Sequence, residues 1–192
     1  MLSNDKKLPE IIVFAGPNGS GKSTVTSLAK VIEPYINADD IKHTTHCSDM
    51  EAAVFAEKLR EENVALKHSF TFETVLSTDR NLKLLKKAKE QGFFIRCIYV
   101  LTSDVEVNVL RVETRERNGG HGVPPEKVRS RYVKALALLP ELIEVCYIVH
   151  IYDNTEFPYR IFKKRKSQYF YWENEYWDKD KIEDLTNIYF EE

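Results

Sequence analysis

A glycine-rich segment near the N-terminus has the residue types and spacing to bind phosphate. It reads GPNGSGKST over residues 16–24 and is called the phosphate loop below. Glycines permit backbone conformations that other residues resist, so consecutive N–H groups can turn inward around phosphate oxygens. Lys22 is then placed to reach the β and γ phosphates, and the Ser23 hydroxyl is placed to coordinate Mg²⁺. The residues expected to bind ATP or GTP are Gly16, Pro17, Asn18, Gly19, Ser20, Gly21, Lys22, Ser23 and Thr24.

The flanks of the phosphate loop support this interpretation. Residues 11–15 (IIVFA) are typical of a buried parallel strand, and a helix is predicted over residues 22–32. A helix that begins there directs the positive end of its dipole at a bound anion. ABC-type ATPases share the loop sequence, but they also carry an LSGGQ-like signature. The nearest phrase here, LSTDR at residues 76–80, lacks the glycines, which argues against that class.

Two carboxylates follow the second predicted strand, residues 35–36, at the edge of the sheet where the phosphate loop ends the first strand. Asp39 or Asp40 could accept a proton from a substrate hydroxyl, since phosphoryl transfer needs a positioned nucleophile. We expect Asp39 to be the catalytic base. The alternative is that Asp39 caps a helix beginning at the next residue.

A third carboxylate, Glu73, ends the third predicted strand in the phrase FTFETVLS, residues 70–77. Between apolar residues, a carboxylate is costly to bury without a partner such as Mg²⁺ or arginine. Glu73 is therefore predicted to lie at the site, and a structural ion pair is the alternative.

Two arginines that could neutralise a transferred phosphoryl group lie on one predicted helix. Arg111 and Arg115 are four residues apart, so they project from the same face. The helix precedes GGHGVPP, residues 119–125, which is predicted to form a lid loop. We expect both arginines to clamp phosphates, with solvated helix charges as the alternative. His121 lies within the lid loop, and Arg131, on the next helix, could point back to the phosphates.

Strands and helices alternate along the chain. Strands are predicted at residues 11–15, 35–36, 70–72, 93–101 and 147–152. Helices are predicted at residues 22–32, 50–67, 79–91, 105–117 and 126–145, the last bent at Pro140. This alternation predicts a three-layer α/β fold of the P-loop NTPase, nucleotide kinase-like class, with a parallel doubly wound sheet and a short lid loop. Ligands then belong at the C-terminal ends of the strands.

Length and composition limit the class of protein. The 192 residues predict a single domain, 1–192, with a core at about 9–155 and a C-terminal hairpin and helix at about 156–192. The 28 Lys and Arg against 30 Asp and Glu give a charge of −2, so no global field favours nucleic acid or anionic lipid. The three cysteines are scattered, which argues against a disulfide framework or a zinc site. The same cysteine pattern fits a reducing cytoplasm, where we expect the protein to lie. Because no apolar run approaches the ~20 residues of a membrane span, we expect no membrane partner.

A segment near the C-terminus alternates aromatic and basic residues, reading YRIFKKRKSQYFYW over residues 159–172. Runs of charge usually cover exposed faces, so a solvated β-hairpin with its aromatics packed on the domain edge is the favoured interpretation. Basic residues interleaved with aromatics also suit single-stranded nucleic acid, which is the alternative. Nucleic acid is therefore not the expected partner.

Six motifs together resemble the zeta toxin family of P-loop kinases, in particular its small free-standing members. In chain order they read GPNGSGKST, NADDIK, FETVLS, RVETRERNGGHGVP, RSRY and IYDN, and the resemblance extends from about residue 11 to residue 154. Zeta toxins phosphorylate a sugar hydroxyl of UDP-N-acetylglucosamine. The resemblance implies an ATP-binding kinase that uses Mg²⁺, with an antitoxin protein as a candidate partner.

The resemblance also implies roles for individual residues. Lys22 matches the phosphate-loop lysine of the family, Asp39 its catalytic base, and Arg111 an arginine that bridges the phosphates. Glu73 matches the glutamate on the third strand of the family, and Glu57 is a loose counterpart of its sugar-contacting helical glutamate. We also expect Arg115 and Asn154 to contact the nucleotide, and Asp40, Glu57, Glu73, Thr74, His121 and Arg131 to contact the substrate.

One position departs from the family pattern. The second phosphate-binding arginine of the toxins falls at His121 here, so Arg115 or Arg131 is expected to take its role. The sequence accordingly predicts a kinase that transfers phosphate to an alcohol group of a small metabolite, with a nucleotide sugar as the first candidate. The alternatives are a polynucleotide or nucleoside kinase and a nucleotide-binding regulatory module with little turnover.

Overall fold

The structure, a computed structural model, describes residues 8–191, so the outermost residues of the predicted domain, 1–7 and 192, lie outside it. Its strands are β1 (Glu10–Ala15), β2 (Tyr35–Ile36), β3 (Phe70–Thr74), β4 (Phe94–Leu101), β5 (Ile148–Asp153), β6 (Tyr159–Arg165) and β7 (Gln168–Tyr171). Its helices are α1 (Lys22–Ser27), α2 (Ala38–Thr45), α3 (Asp49–Ala65), α4 (Arg80–Glu90), α5 (Val105–Arg117), α6 (Pro125–Ala137), α7 (Leu139–Val145) and α8 (Lys179–Thr186). None of the helices described over 8–191 is both long and apolar enough to cross a membrane.

The strands form one sheet in the order β2-β3-β1-β4-β5-β6-β7. The pairs from β2 to β5 are parallel, and β6 and β7 extend the sheet as an antiparallel hairpin. After β1 the chain builds β2 and β3 on one side, then crosses to β4 and β5 on the other. This topological switch opens a crevice at the C-terminal end of β1, where α/β sheets bind ligands. The predicted α/β fold with a mainly parallel sheet is confirmed.

Strand β1 is buried on both faces, which explains its uninterrupted apolar sequence. Ile11, Val13 and Ala15 belong to the main core, which also contains buried side chains of α3, α4, α7 and α8. Because side chains alternate along a strand, Ile12 and Phe14 face the opposite side, where both are also buried. A smaller apolar cluster joins α5, the lid loop and α6 through Val109, Val112, Val123 and Val128.

Helix α1 is shorter than the helix predicted over residues 22–32. It ends at Ser27, within a run of serine, threonine and valine. The Thr26 hydroxyl donates to the Lys22 carbonyl oxygen at 3.0 Å, and the Ser27 hydroxyl donates to that of Thr24 at 2.8 Å. Such side chains compete for backbone partners and lose rotamer freedom in a helix, so they favour early termination.

Helix α2 begins at Ala38, before the position at which the alternative interpretation of Asp39 placed a helix start. The cap is Asn37, whose side chain accepts a hydrogen bond from the Asp39 N–H at 2.9 Å. The alternative role of Asp39 as the cap is therefore wrong, and its carboxylate is free for other contacts. The long helix predicted over residues 126–145 is two helices, α6 and α7. The helix is interrupted at Leu138, and Pro140 lies in the first turn of α7, where proline is tolerated.

The basic and aromatic C-terminal segment forms the predicted β-hairpin. Lys164 is buried, and its ammonium donates to the carbonyl oxygen of Ile143 at 2.6 Å, near the C-terminal end of α7. Arg160 lies over the Trp172 ring, with 4.3 Å between the guanidinium carbon and the ring centroid. These charges thus make contacts within the chain, as expected for a hairpin packed on the edge of the domain.

His150 is half-buried on β5, on the same sheet surface as the charges of Arg160, Lys163 and Arg96. Burial, with these three cations, lowers the pKa of His150 from 6.5 to about 4. In the unfolded chain, His150 therefore binds a proton below about pH 6.5, whereas in the folded chain it does so only near pH 4. Stability from this residue is present above the unfolded pKa and is lost as the pH falls through that window.

We expect the free energy of unfolding to fall more steeply from pH 7 to pH 4 in the wild type than in His150→Gln. The difference should be about 1–2 kcal/mol after discounting for solvent screening. Urea denaturation across this pH range measures it, and His68→Gln, at an exposed histidine, is the matched control. Parallel profiles for the wild type and His150→Gln would contradict the pKa assignment.

Candidate functional site

The phosphate loop folds around its own lysine at the C-terminal end of β1. Gly16, Gly19 and Gly21 have φ values of 143°, 77° and 90°, which favour glycine. The Lys22 ammonium donates to the carbonyl oxygens of Gly16 and Pro17 at 2.8 and 2.9 Å. The loop backbone therefore has the wrapped form that the motif predicts, with its lysine held at the centre.

Residues from distant parts of the chain hold the loop in place. The Asn154 side chain, just after β5, donates to the Ser20 carbonyl oxygen at 2.8 Å. The Asn108 side chain on α5 donates to the Asn18 carbonyl oxygen at 2.6 Å, and Arg131 on α6 donates to the Asn18 side-chain oxygen at 3.3 Å. Asn154 and Arg131 were predicted site residues, whereas the anchoring role of Asn108 was not predicted.

The charge of Lys22 lies in the field of two predicted carboxylates. Burial lowers the pKa of this ammonium, the nearby charges of Glu73 and Asp39 oppose that effect, and Arg115 adds to it. These four side chains come from the phosphate loop, the end of β3, α2 and α5. The fold thus brings together charged groups that are up to 93 positions apart along the printed sequence.

A cavity of about 420 Å³, the main cleft, opens beside the phosphate loop. The predicted residues that line it are Asn18, Gly19, Gly21, Lys22, Ser23, Thr24, Asp39, Glu73, Thr74, Arg111 and Arg115. Side chains in the lining that were not predicted include Asn37, Arg60 and Asn81. Phosphate-binding and acid–base groups therefore share one space.

A tyrosine hydroxyl holds Glu73, and within residues 8–191 this carboxylate forms no ion pair. The Tyr35 hydroxyl donates to the Glu73 carboxylate at 2.8 Å, and the Asn37 amide donates to the Tyr35 oxygen at 3.3 Å. Burial, together with the charge of Glu73, raises the pKa of Tyr35, so the phenol keeps its proton and remains a donor. Nothing in the sequence distinguishes Tyr35 from an ordinary strand residue, so this contact was not predicted.

The two predicted arginines border the main cleft but are anchored differently. The Arg111 guanidinium donates to the carbonyl oxygens of Asn154 and Thr155, each at 2.8 Å. Arg115 Nε donates to the His121 carbonyl oxygen of the lid loop at 3.0 Å. Arg111 is thus tied to the segment that follows β5, and Arg115 is tied to the lid.

A second cavity of about 670 Å³, the lid cavity, shares Asp39 and Arg115 with the main cleft. Its lining also contains the predicted substrate residues Asp40 and His121. The lid loop is fastened to α2 and α3 near this cavity, since Lys42 contacts both Asp49 at 2.6 Å and His121 Nδ1 at 3.3 Å. Asp39 and Arg115 therefore border both cavities.

The structure does not bring Glu57 to the main cleft. Glu57 borders a separate cavity and forms an ion pair with Arg80 at 3.6 Å. Arg60, one turn later on α3, lines the main cleft together with Ala53 and Ala56. Arg60 lies four residues after Ala56 and therefore on the same face of the helix, and this spacing was the signal that could have identified it.

The residues present fit a bound magnesium ion. Mg²⁺ prefers hard oxygen ligands and is usually held by one or two carboxylates together with substrate phosphates and water. The Ser23 hydroxyl and the carboxylates of Asp39 and Glu73 offer such oxygens in the main cleft. Over residues 8–191, the structure contains no cluster of three or more His, Cys, Asp or Glu side chains that could hold a metal ion by itself.

Comparison of sequences identifies one relative. No protein-family model matches the chain. It is 31% identical over 127 residues to an uncharacterized protein of Haemophilus influenzae, covering 63% of this chain and 91% of that protein. The chain belongs to the family of that Haemophilus protein.

Comparison of structures confirms the P-loop kinase-like fold. The chain is similar to a structure of the PezAT chromosomal toxin-antitoxin system of Streptococcus pneumoniae, with a TM-score of 0.59, 17% identity, and coverage of 82% of this chain and 71% of the other. It is also similar to AvrRxo1-ORF1:-ORF2 with ATP, with a TM-score of 0.68 and 16% identity. That match covers 95% of this chain and 64% of the other, so the chain spans under two thirds of its length. At such identities, the similarity establishes the fold.

The loop geometry predicts that Gly19→Ala abolishes nucleotide binding. A Cβ on Gly19 would overlap the backbone carbonyl of Asn108, so the loop must move as well as accept an unfavourable φ. Gly92→Ala is the matched control, because Gly92 has φ of 89° but a Cβ there meets no atom within 4 Å. Titration with a fluorescent ATP analogue should show tight binding by the wild type and Gly92→Ala only. Equal affinity in Gly19→Ala would contradict the assigned loop.

Proposed function

We propose that this protein is a kinase that transfers the γ-phosphoryl group of ATP, or of GTP, to a hydroxyl group of a small metabolite. The observation that carries the proposal is the main cleft, in which the phosphate loop, Asp39 and the arginines face one cavity of about 420 Å³. A purely regulatory nucleotide site would need the loop but would not need an acid–base group beside it.

The phosphate loop is assigned to the donor nucleotide. Its N–H groups and the Lys22 ammonium would bind the phosphates, and the start of α1 would add the positive end of the helix dipole. Mg²⁺, held by the Ser23 hydroxyl and the Glu73 carboxylate, would neutralise charge on the β and γ phosphates. Arg111 and Arg115 would stabilise the negative charge on the transferred group.

Asp39 is assigned as the base that receives the proton of the acceptor hydroxyl. As that O–H bond breaks, the hydroxyl oxygen bonds to the γ phosphorus, the bond from phosphorus to the bridging oxygen breaks, and the nucleoside diphosphate leaves. The Asn37 cap supports this role, since it fixes the first turn of α2 without using the Asp39 carboxylate. Closure of the lid loop would exclude water that could otherwise accept the phosphoryl group.

The lid cavity is assigned to the body of the acceptor. At about 670 Å³ it has the size of a typical small-molecule site, and its lining contains Asp39 but no residue of the phosphate loop. Asp40 and His121 would contact the acceptor there. By resemblance to the zeta toxins, a nucleotide sugar such as UDP-N-acetylglucosamine is the first acceptor to assay.

A protein partner is also part of the proposal. The pneumococcal structure belongs to a toxin-antitoxin system, and the AvrRxo1 structure is a complex of AvrRxo1-ORF1 with AvrRxo1-ORF2. Both support an antitoxin-like protein as the candidate partner of this chain. Expression of the wild type and of an inactive variant in a bacterial host would test whether this chain acts as a toxin that needs such a partner, since only an active toxin should arrest growth.

Asp39→Asn is expected to lower kcat by roughly 10²–10⁴-fold, because the amide cannot accept the hydroxyl proton. The affinity for ATP should change little, since the phosphate loop is unaltered. Radiolabelled ATP and a panel of nucleotide sugars, nucleosides and RNA with a 5′ hydroxyl measure transfer and separate the small-metabolite proposal from a nucleoside or polynucleotide kinase. Asp79→Asn, at an exposed aspartate beside the start of α4, is the matched control.

A turnover rate that is equal in the wild type and Asp39→Asn would contradict the assigned base. The absence of any phosphorylated product, under conditions in which ATP binds, would favour a nucleotide-binding regulatory module instead.

A further inference from the structure

Arg60 is a buried cation in the wall of the main cleft to which the proposed reaction has not assigned a role. Only 8% of the residue is exposed, although it lies in the middle of α3. Ala53 and Ala56 precede it in the same wall, and their small side chains leave space in front of the guanidinium.

The guanidinium lacks a full set of partners. Within the part of the chain that the structure describes, Arg60 Nε is buried without a hydrogen-bond acceptor. Glu57, the carboxylate one turn earlier on α3, is paired with Arg80 at 3.6 Å. The contact that positions Arg60 is stacking, with its guanidinium carbon 5.3 Å from the centre of the Phe72 ring. This leaves N–H groups that a ligand can use.

Burying this charge is unfavourable unless an anion compensates it. An arginine stays protonated at any physiological pH, and removing its charge from water is costly when no partner replaces the water. Burial lowers the pKa of Arg60, and the charges of Glu57 and Glu61 on the same helix oppose that effect. Neither carboxylate is an ion-pair partner of Arg60 within residues 8–191, so a bound anion would add a direct partner.

The sheet topology places Arg60 on the acceptor side of the cleft. β2 and β3 lie on one side of β1, and β4 and β5 lie on the other. Asp39 follows β2, and Arg60 packs on Phe72 of β3, so both belong to the first side. Arg111 and Asn154, assigned to the nucleotide, belong to the second side.

We propose that Arg60 binds an anionic group of the acceptor, a phosphate or a carboxylate, while the acceptor hydroxyl faces Asp39. This inference rests on the proposed kinase function and narrows its substrate class to hydroxyl compounds that carry a compact negative group. A neutral hydroxyl compound would leave the buried guanidinium without a partner, so it would be strongly disfavoured.

The test uses a ternary binding measurement without turnover. The protein is saturated with Mg²⁺ and a non-hydrolysable ATP analogue, so that the phosphate loop is filled, and is then titrated with orthophosphate, acetate or glycerol in a calorimeter. Arg60→Met keeps an unbranched apolar chain that can contact Phe72, but it removes the charge and the N–H groups of the guanidinium. Arg80→Met, at an exposed arginine close to the same helix, is the matched control.

Orthophosphate or acetate, but not glycerol, should bind to the wild type and to Arg80→Met. Arg60→Met should raise the dissociation constant of the bound anion by about tenfold or more, as expected for the loss of charge-assisted hydrogen bonds. The anion with the lower dissociation constant indicates whether the acceptor carries a phosphate or a carboxylate. Equal anion binding in the wild type and Arg60→Met, or no binding by either protein, would overturn the proposal.

Stability provides a second readout that separates a ligand-binding role from a structural one. Without any anion, Arg60→Met should unfold at the same or a higher urea concentration than the wild type, because a buried charge has been removed. Orthophosphate should then stabilise the wild type more than Arg60→Met. A midpoint in Arg60→Met that is clearly lower would indicate that the arginine serves the fold, and would overturn the assignment.

The anion site and the kinase function can fail separately. Arg60-dependent anion binding together with no phosphorylated product from any acceptor would remove the kinase proposal and leave the site. Phosphorylation of acceptors with the same KM in the wild type and Arg60→Met would remove the site and leave the kinase.

Discussion

The site depends on a buried ammonium that the chain must surround with oxygens. Lys22 Nζ takes two of them from the backbone of its own loop, and the carboxylates of Asp39 and Glu73 supply opposing charge. The loop can hold that shape because Asn108 and Asn154, from α5 and the segment after β5, bond to its carbonyl groups. Both sides of the sheet therefore contribute to the position of one nitrogen atom.

Features with a strong local signal could be predicted from the sequence. The five parallel strands follow from short apolar runs, because a strand buried on both faces cannot contain regularly spaced polar residues. The phosphate loop follows from its glycines, and the side of the cleft on which Asp39 lies follows from the rule that the carboxyl ends of parallel strands share one edge. The pairing of Arg111 and Arg115 follows from helical spacing.

Features that depend on contacts between distant residues could not be predicted. Asn37 caps α2 in place of Asp39, a difference of two residues that decides whether a carboxylate is free. On α3, Glu57 borders a separate cavity, whereas Arg60, one turn later, lines the main cleft. The resemblance to the zeta toxins does not resolve a difference of one helical turn. The bond from Tyr35 to Glu73 joins residues on adjacent strands, a pairing that strand propensity alone does not specify.

The bond between Arg115 and the lid has a consequence for how the lid and the cleft communicate. Arg115 Nε has a single N–H, which donates a hydrogen bond to the His121 carbonyl oxygen of the lid. The Arg115 side chain also borders both cavities. An anion that accepts the hydrogen bond from this N–H displaces the His121 carbonyl of the lid. Conversely, a lid that keeps this hydrogen bond lowers the affinity for such an anion. By linkage, the two equilibria change one another by equal factors. The lid backbone and a bound anion can therefore compete for the same Arg115 N–H.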